Sequence, residues 1–93
     1  MSKIHVARPH HLGLEAARAE VERIAARVRD EYGADYHWHG DVLHFKRSGL
    51  SGQIAVAEDG MDLSIQLGLL LSAMRGQIEA RLTRKIDEVL ARY

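Results

Sequence analysis

The feature that most constrains this chain is a hydrophobic period that changes twice. Met61, Leu63, Ile65 and Leu67 alternate with Asp62, Ser64 and Gln66, which is the period of a strand with one buried face. On either side, apolar residues recur every three or four positions instead. Leu14, Ala17, Val21, Ile24, Ala25, Val28 and Tyr32 make one helical face and predict a helix over residues 14–32. Gly33 is its natural stop, because it takes the left-handed conformation readily. After Gly68 the helical spacing returns through Leu70, Leu71, Met74, Ile78, Leu82, Ile86, Val89 and Leu90. It predicts one helix over residues 69–92, roughly 36 Å long, with Gly76 marking a close helix–sheet approach.

Further strands fill the remaining chain. Ile4 and Val6 alternate with His5 and Ala7, and Pro9 ends that run, since proline gives no N–H to a ladder. Residues 35–47 read as a hairpin turning on Gly40-Asp41. That register pairs His39 with Val42, Trp38 with Leu43, His37 with His44 and Tyr36 with Phe45. It gathers Tyr36, Trp38, Leu43 and Phe45 on one face. Residues 48–51 read as a turn and residues 52–57 as the next strand, with Ile54 and Val56 inward. Asp59-Gly60 marks another hairpin. The expected fold is α+β, with order β-α-β-β-β-β-α: an antiparallel sheet covered by two helices, like a truncated helix-grip domain. The comparison is architectural and carries no function.

Composition narrows the functional classes. The chain has 93 residues, one domain's worth, of which 46% are hydrophobic and 28% charged, as in an ordinary globular protein. Lys plus Arg and Asp plus Glu are 13 each, a balance that argues against a nucleic-acid partner. There is no cysteine, so disulfides, thiolate nucleophiles and Cys-type zinc sites are excluded. The first ten residues hold no apolar run of signal-peptide length. Leu69-Leu70-Leu71 falls far short of the roughly 20 apolar residues that span a bilayer.

Three segments carry a resemblance to a known family. They are His11-Leu12-Gly13-Leu14-Glu15-Ala16-Ala17-Arg18; Phe45-Lys46-Arg47-Ser48-Gly49-Leu50-Ser51-Gly52 with Ile54 and Val56 after it; and Leu67-Gly68-Leu69-Leu70-Leu71 with Ile78-Glu79 after it. In these the chain resembles the putative polyhydroxyalkanoic acid system proteins. The resemblance implies a bacterial cytoplasmic protein tied to polyhydroxyalkanoate storage granules or their enzymes. It implies no reaction and no catalytic residues, and residues 35–41 lie outside it.

Several residue groups are candidate sites. Leu50, Leu67, Leu69 and Leu70, with Leu12 and Leu71 nearby, form a leucine cluster suited to a partner or granule surface, set against use in a thin core. Lys46, Arg47, Ser48 and Ser51, with Gly49 and Gly52, form an anion- or ligand-binding turn, set against a plain four-residue hairpin connection, which is favoured. His37, His39 and His44 share a strand face at chelating distance. A solvated polar face explains them more simply, so no metal and no cofactor is assigned. Ser48 and Ser51 lack the base and oxyanion hole that an activated serine needs, and the spacing is not that of a nucleophile elbow. The stripe of the first helix is read as packing on the sheet rather than as a coiled-coil seam.

The expected function is therefore a non-enzymatic accessory role in polyhydroxyalkanoate storage, binding the granule or a granule enzyme, in the cytoplasm or at the granule surface. The alternative is a small acyl-ligand binding module of truncated helix-grip type. No nucleic acid and no membrane span are expected. Self-association as a homodimer is expected of a small domain with a spare apolar patch.

Overall fold

A computed structural model of the chain describes residues 2–92. The elements are β1 (Ser2–Pro9), α1 (Leu14–Tyr32), β2 (Asp35–His39), β3 (Val42–Arg47), β4 (Leu50–Val56), β5 (Gly60–Leu67), α2 (Leu69–Ser72) and α3 (Arg75–Ala91). The five strands form one antiparallel sheet in the order β1-β5-β4-β3-β2. The α+β class and the alternation of elements agree with the sequence reading.

The period-two stretches place their apolar residues on one face, as side chains alternate along a strand. Ile4 and Val6 oppose Ile65 and Leu63; Ile54 opposes both Leu63 and Leu43. The β2–β3 register is the one read from the sequence, pair for pair. All three helices share in the core behind this face, where Ile4, Leu43, Leu67 and Val21 are fully enclosed. Side chains of the sheet and the helices meet in this core.

α1 lies against the β2 side. The guanidinium of Arg18 sits 4.5 Å from the Trp38 ring centroid, and its Nη1 donates to Asp41 Oδ1 at 3.3 Å. Trp38 Nε1 donates to Glu22 Oε2 at 3.3 Å, and Arg29 lies 5.5 Å from the Tyr36 ring. Long arginine stems thus cover aromatic faces that an all-apolar stripe would leave wet. Gly33 closes the helix at φ 72°, its N–H bonded to Arg29 O at 2.9 Å.

α3 lies along β1. Arg75 Nε donates to Lys3 O at 3.1 Å, and Arg8 Nε donates to Asp87 Oδ1 at 2.9 Å. From Arg75 to Asp87 a helix rises roughly 18 Å, and from Lys3 to Arg8 a strand rises roughly 17 Å. The two contacts therefore match an element pair running side by side in the same direction.

His10 joins β1 to α1 and is buried. Its N–H donates to Asp59 O at 2.9 Å, and its Nδ1 accepts from the Leu12 N–H at 3.1 Å. The proton must then sit on Nε2, which donates to Gly60 O at 3.2 Å. One neutral ring so satisfies two backbone groups and ties the β4–β5 turn to the start of α1.

Three expectations need correction. The predicted single helix over residues 69–92 is two helices. The Met74 N–H reaches back only three residues, to Leu71 O at 2.9 Å, at φ −105° and ψ 13°. Leu71 packs on the core, Met74 is exposed, and Gly76 lowers helix propensity by about 1 kcal/mol against alanine, so little holds the segment straight. Second, Gly76 makes no close approach to the sheet: a Cβ there would meet nothing within 4 Å. Third, the turn between β3 and β4 has two residues, Ser48 and Gly49, with Leu50 and Ser51 already in the strand.

Candidate functional site

Two surfaces remain once the core is accounted for. One is the corner between β5 and α2. The Gly68 N–H donates to Gly49 O at 2.8 Å, which docks this corner on the β3–β4 turn. The approach is close: a Cβ at Gly68 would lie 3.3 Å from Gly49 O and 3.4 Å from Gly49 Cα. Gly49 itself sits at φ 81°, in the left-handed region that suits glycine. Gly68 O then accepts from both the Ser72 N–H and Ser72 Oγ, each at 2.9 Å. The result is a single helical turn pinned at both ends.

This pinning splits the leucine cluster. Leu67 is 2% exposed and belongs to the core, so its place among the partner-binding candidates is withdrawn: it is the last inward residue of β5. Leu50 and Leu71 are half-buried and pack on the same core, as does Leu12 at a distance in sequence. Leu69 and Leu70 are 82% and 90% exposed, with Met74 at 47% beside them in sequence. Placing two leucines on a rigid turn with almost no protein contact works against folding, because apolar surface left in water forgoes about 25 cal/mol per Å². An exposed apolar group of this kind marks contact with something else.

The other surface is the face of the sheet that no helix covers. Register sorts its side chains into rows across the strands. The first row is Lys3, Gln66, Ser51, Lys46 and Asp35; the second is His5, Ser64, Gln53, His44 and His37; the third is Ala7, Asp62, Ala55, Val42 and His39. The first two rows floor an open hollow of about 1070 Å³. His37 and His44 stack with centroids 5.3 Å apart at 17°, and His39 meets His44 edge-on at 6.4 Å. Stacking sets ring nitrogens side by side, whereas a metal needs them to converge on one point. The three histidines are thus brought together in a geometry that favours ring contact. His5 Nε2 lies 3.0 Å from Asp62 Oδ1.

Three of the four anion candidates, Lys46, Arg47 and Ser51, line this hollow. Lys46 and Ser51 oppose each other on the open face. Arg47, the last residue of β3, also borders the hollow on that face. Ser48 is in the turn. Among the described residues neither Ser48 nor Ser51 hydrogen-bonds a histidine or a carboxylate.

The sequence profile of the family described as putative polyhydroxyalkanoic acid system protein matches residues 4–90. The chain belongs to that family. No curated protein and no solved structure gives a match. In this member of the polyhydroxyalkanoic acid system family, two of the three segments that carry the resemblance meet in space. They touch through Gly49 and Gly68, and the exposed leucines follow directly. Gly52, which ends the Arg-Ser-Gly-Leu-Ser-Gly run, is also a packing requirement. A Cβ there would fall 2.6 Å from Ser64 O and 2.7 Å from the Phe45 ring, which lies across it. Among the described residues, no helix is long and apolar enough to cross a membrane.

Proposed function

We propose that this chain is a non-enzymatic accessory protein of polyhydroxyalkanoate storage that docks on the polymer granule through α2. The observation that carries the reading is the exposure of Leu69 and Leu70 on a turn fixed by Gly49, Gly68 and Ser72. A polyester granule offers a broad apolar surface, and two leucines held outward on a rigid support lose little side-chain and backbone freedom on meeting it. The family's description as a polyhydroxyalkanoic acid system protein supports that choice of partner. The cytoplasmic granule surface is then its working place. Without granules, the same leucines are free to pair two copies about a two-fold axis.

The test is sedimentation with purified native granules. Wild type is expected in the granule pellet, and Leu69→Ser/Leu70→Ser in the supernatant with its circular dichroism unchanged. A wild type that stays in the supernatant while co-purifying with a granule enzyme would replace the polymer by that enzyme as the docking partner. Equal pelleting of both forms would remove α2 from the account.

A further inference from the structure

The open face has a composition that docking through α2 leaves unused. Among the described residues, Lys3, Lys46, Ser51, Ser64, Gln53 and Gln66 make no side-chain hydrogen bond within the protein, and all six line the same hollow. In the first row Lys3 and Lys46 stand at either side of Gln66 and Ser51. Three strand spacings separate the two lysine positions, about 14 Å. Lys3 and Lys46 thus flank the Ser51 hydroxyl and the Gln66 amide, four donors along one row of the hollow. Asp35 closes the row, and Asp62 stands in the third row beside His5. Those two carboxylates oppose a multiply charged anion and leave room for a single negative charge. The second row offers Ser64, Gln53 and His44, whose side chains can hydrogen-bond a hydroxyl group.

We propose that the first two rows of the open face bind a hydroxy carboxylate: Lys3 and Lys46 hold the carboxylate over Ser51 and Gln66, and Ser64, Gln53 and His44 bond the hydroxyl. The choice of ligand class rests on the polyhydroxyalkanoate setting proposed above, whose polymer is built from such units. The ligand is either a free hydroxy acid or the carboxylate end of a short polyester. Both present the same chemistry to the face.

The experiment is a two-dimensional amide NMR titration of the full chain with sodium 3-hydroxybutyrate, with butyrate and inorganic phosphate as comparison probes. Saturable shifts are expected at Lys46, Ser51, Gln53 and Gln66, with a dissociation constant on the order of 1 mM. Butyrate, lacking the hydroxyl, is expected to bind about fivefold more weakly. Lys3→Ala/Lys46→Ala is expected to weaken 3-hydroxybutyrate about tenfold or more. Gln66→Ala provides a second variant, expected to weaken binding without removing charge. The linear ester dimer of 3-hydroxybutyrate separates the sources: tighter binding than the monomer assigns a chain end, and weaker binding assigns the free acid. Phosphate moving the same resonances at lower concentration would overturn the proposal, as would no saturable shift at about 20 mM 3-hydroxybutyrate. Granule sedimentation of the same variants keeps the two readings apart. The lysine variant should still pellet, and Leu69→Ser/Leu70→Ser should still give the NMR shifts.

Discussion

Leu43 and His44 are neighbours on one strand and face opposite ways. Leu43 is enclosed between the sheet and the helices, and His44 stacks on His37 over open solvent. The same alternation decides every residue of β5, where Met61, Leu63, Ile65 and Leu67 are buried and Asp62, Ser64 and Gln66 are half-buried or exposed. One face of the sheet is thus committed to stability and the other is free for chemistry. The β5–α2 corner departs from this division. Leu67 obeys it, whereas two residues later Leu69 and Leu70 place large apolar side chains in water. The contrast teaches where to look for function in a small domain: at apolar residues the core had the means to use and did not.

Substitutions can break this division or sharpen it. The largest effect is expected at Leu43→Ala or Ile4→Ala, about 2–5 kcal/mol lost from the free energy of unfolding by urea. A loss under about 1 kcal/mol would mean that the covered face is loosely packed. Gly52→Ala is expected to cost about 1–3 kcal/mol, since its Cβ meets the Ser64 backbone as well as the Phe45 ring. The paired change Gly52→Ala/Phe45→Leu should recover part of that loss and leave the carbonyl clash. His10→Ala leaves the Leu12 N–H without its partner, while Gly60 O keeps the Ala57 N–H, a cost of about 1–3 kcal/mol readable in the same unfolding curves. Gly49→Ala forces a side chain into the left-handed region, about 1–2 kcal/mol, and should also weaken granule binding by unseating Gly68. The smallest effects are expected at His44→Ala and at Leu69→Ser/Leu70→Ser, within about 0.5 kcal/mol of wild type. A large loss in the leucine variant would return those residues to the core.

Much of this was legible from residue spacing. The limits of α1, its Gly33 cap and the whole β2–β3 register follow from periodicity and turn chemistry, because each depends on residues a few positions apart. The leucine cluster was legible only as a group. Whether Leu67 or Leu69 faces inward depends on where a strand ends and which way the next turn leaves. A hydrogen bond from Gly68 to Gly49, distant in sequence, settles that. The break at Met74 escaped for a related reason, since Leu71 and Ile78 are spaced as on a single helix. His10 carried no pattern at all: its signal is a set of backbone partners that only the fold brings together. The rows of the open face were half visible. The histidines were apparent in the β2–β3 hairpin, while their continuation through Gln53, Ser64 and His5 needed the order β1-β5-β4-β3-β2, which joins the first strand to the last.

The claim that α2 is a docking surface is tested most directly by amide hydrogen exchange of the full chain with and without native granules. Slowed exchange confined to residues 68–74, with β2 and β3 unchanged, is the predicted result. Exchange that is unaltered at residues 68–74, or slowed only across the open face of the sheet, would contradict it.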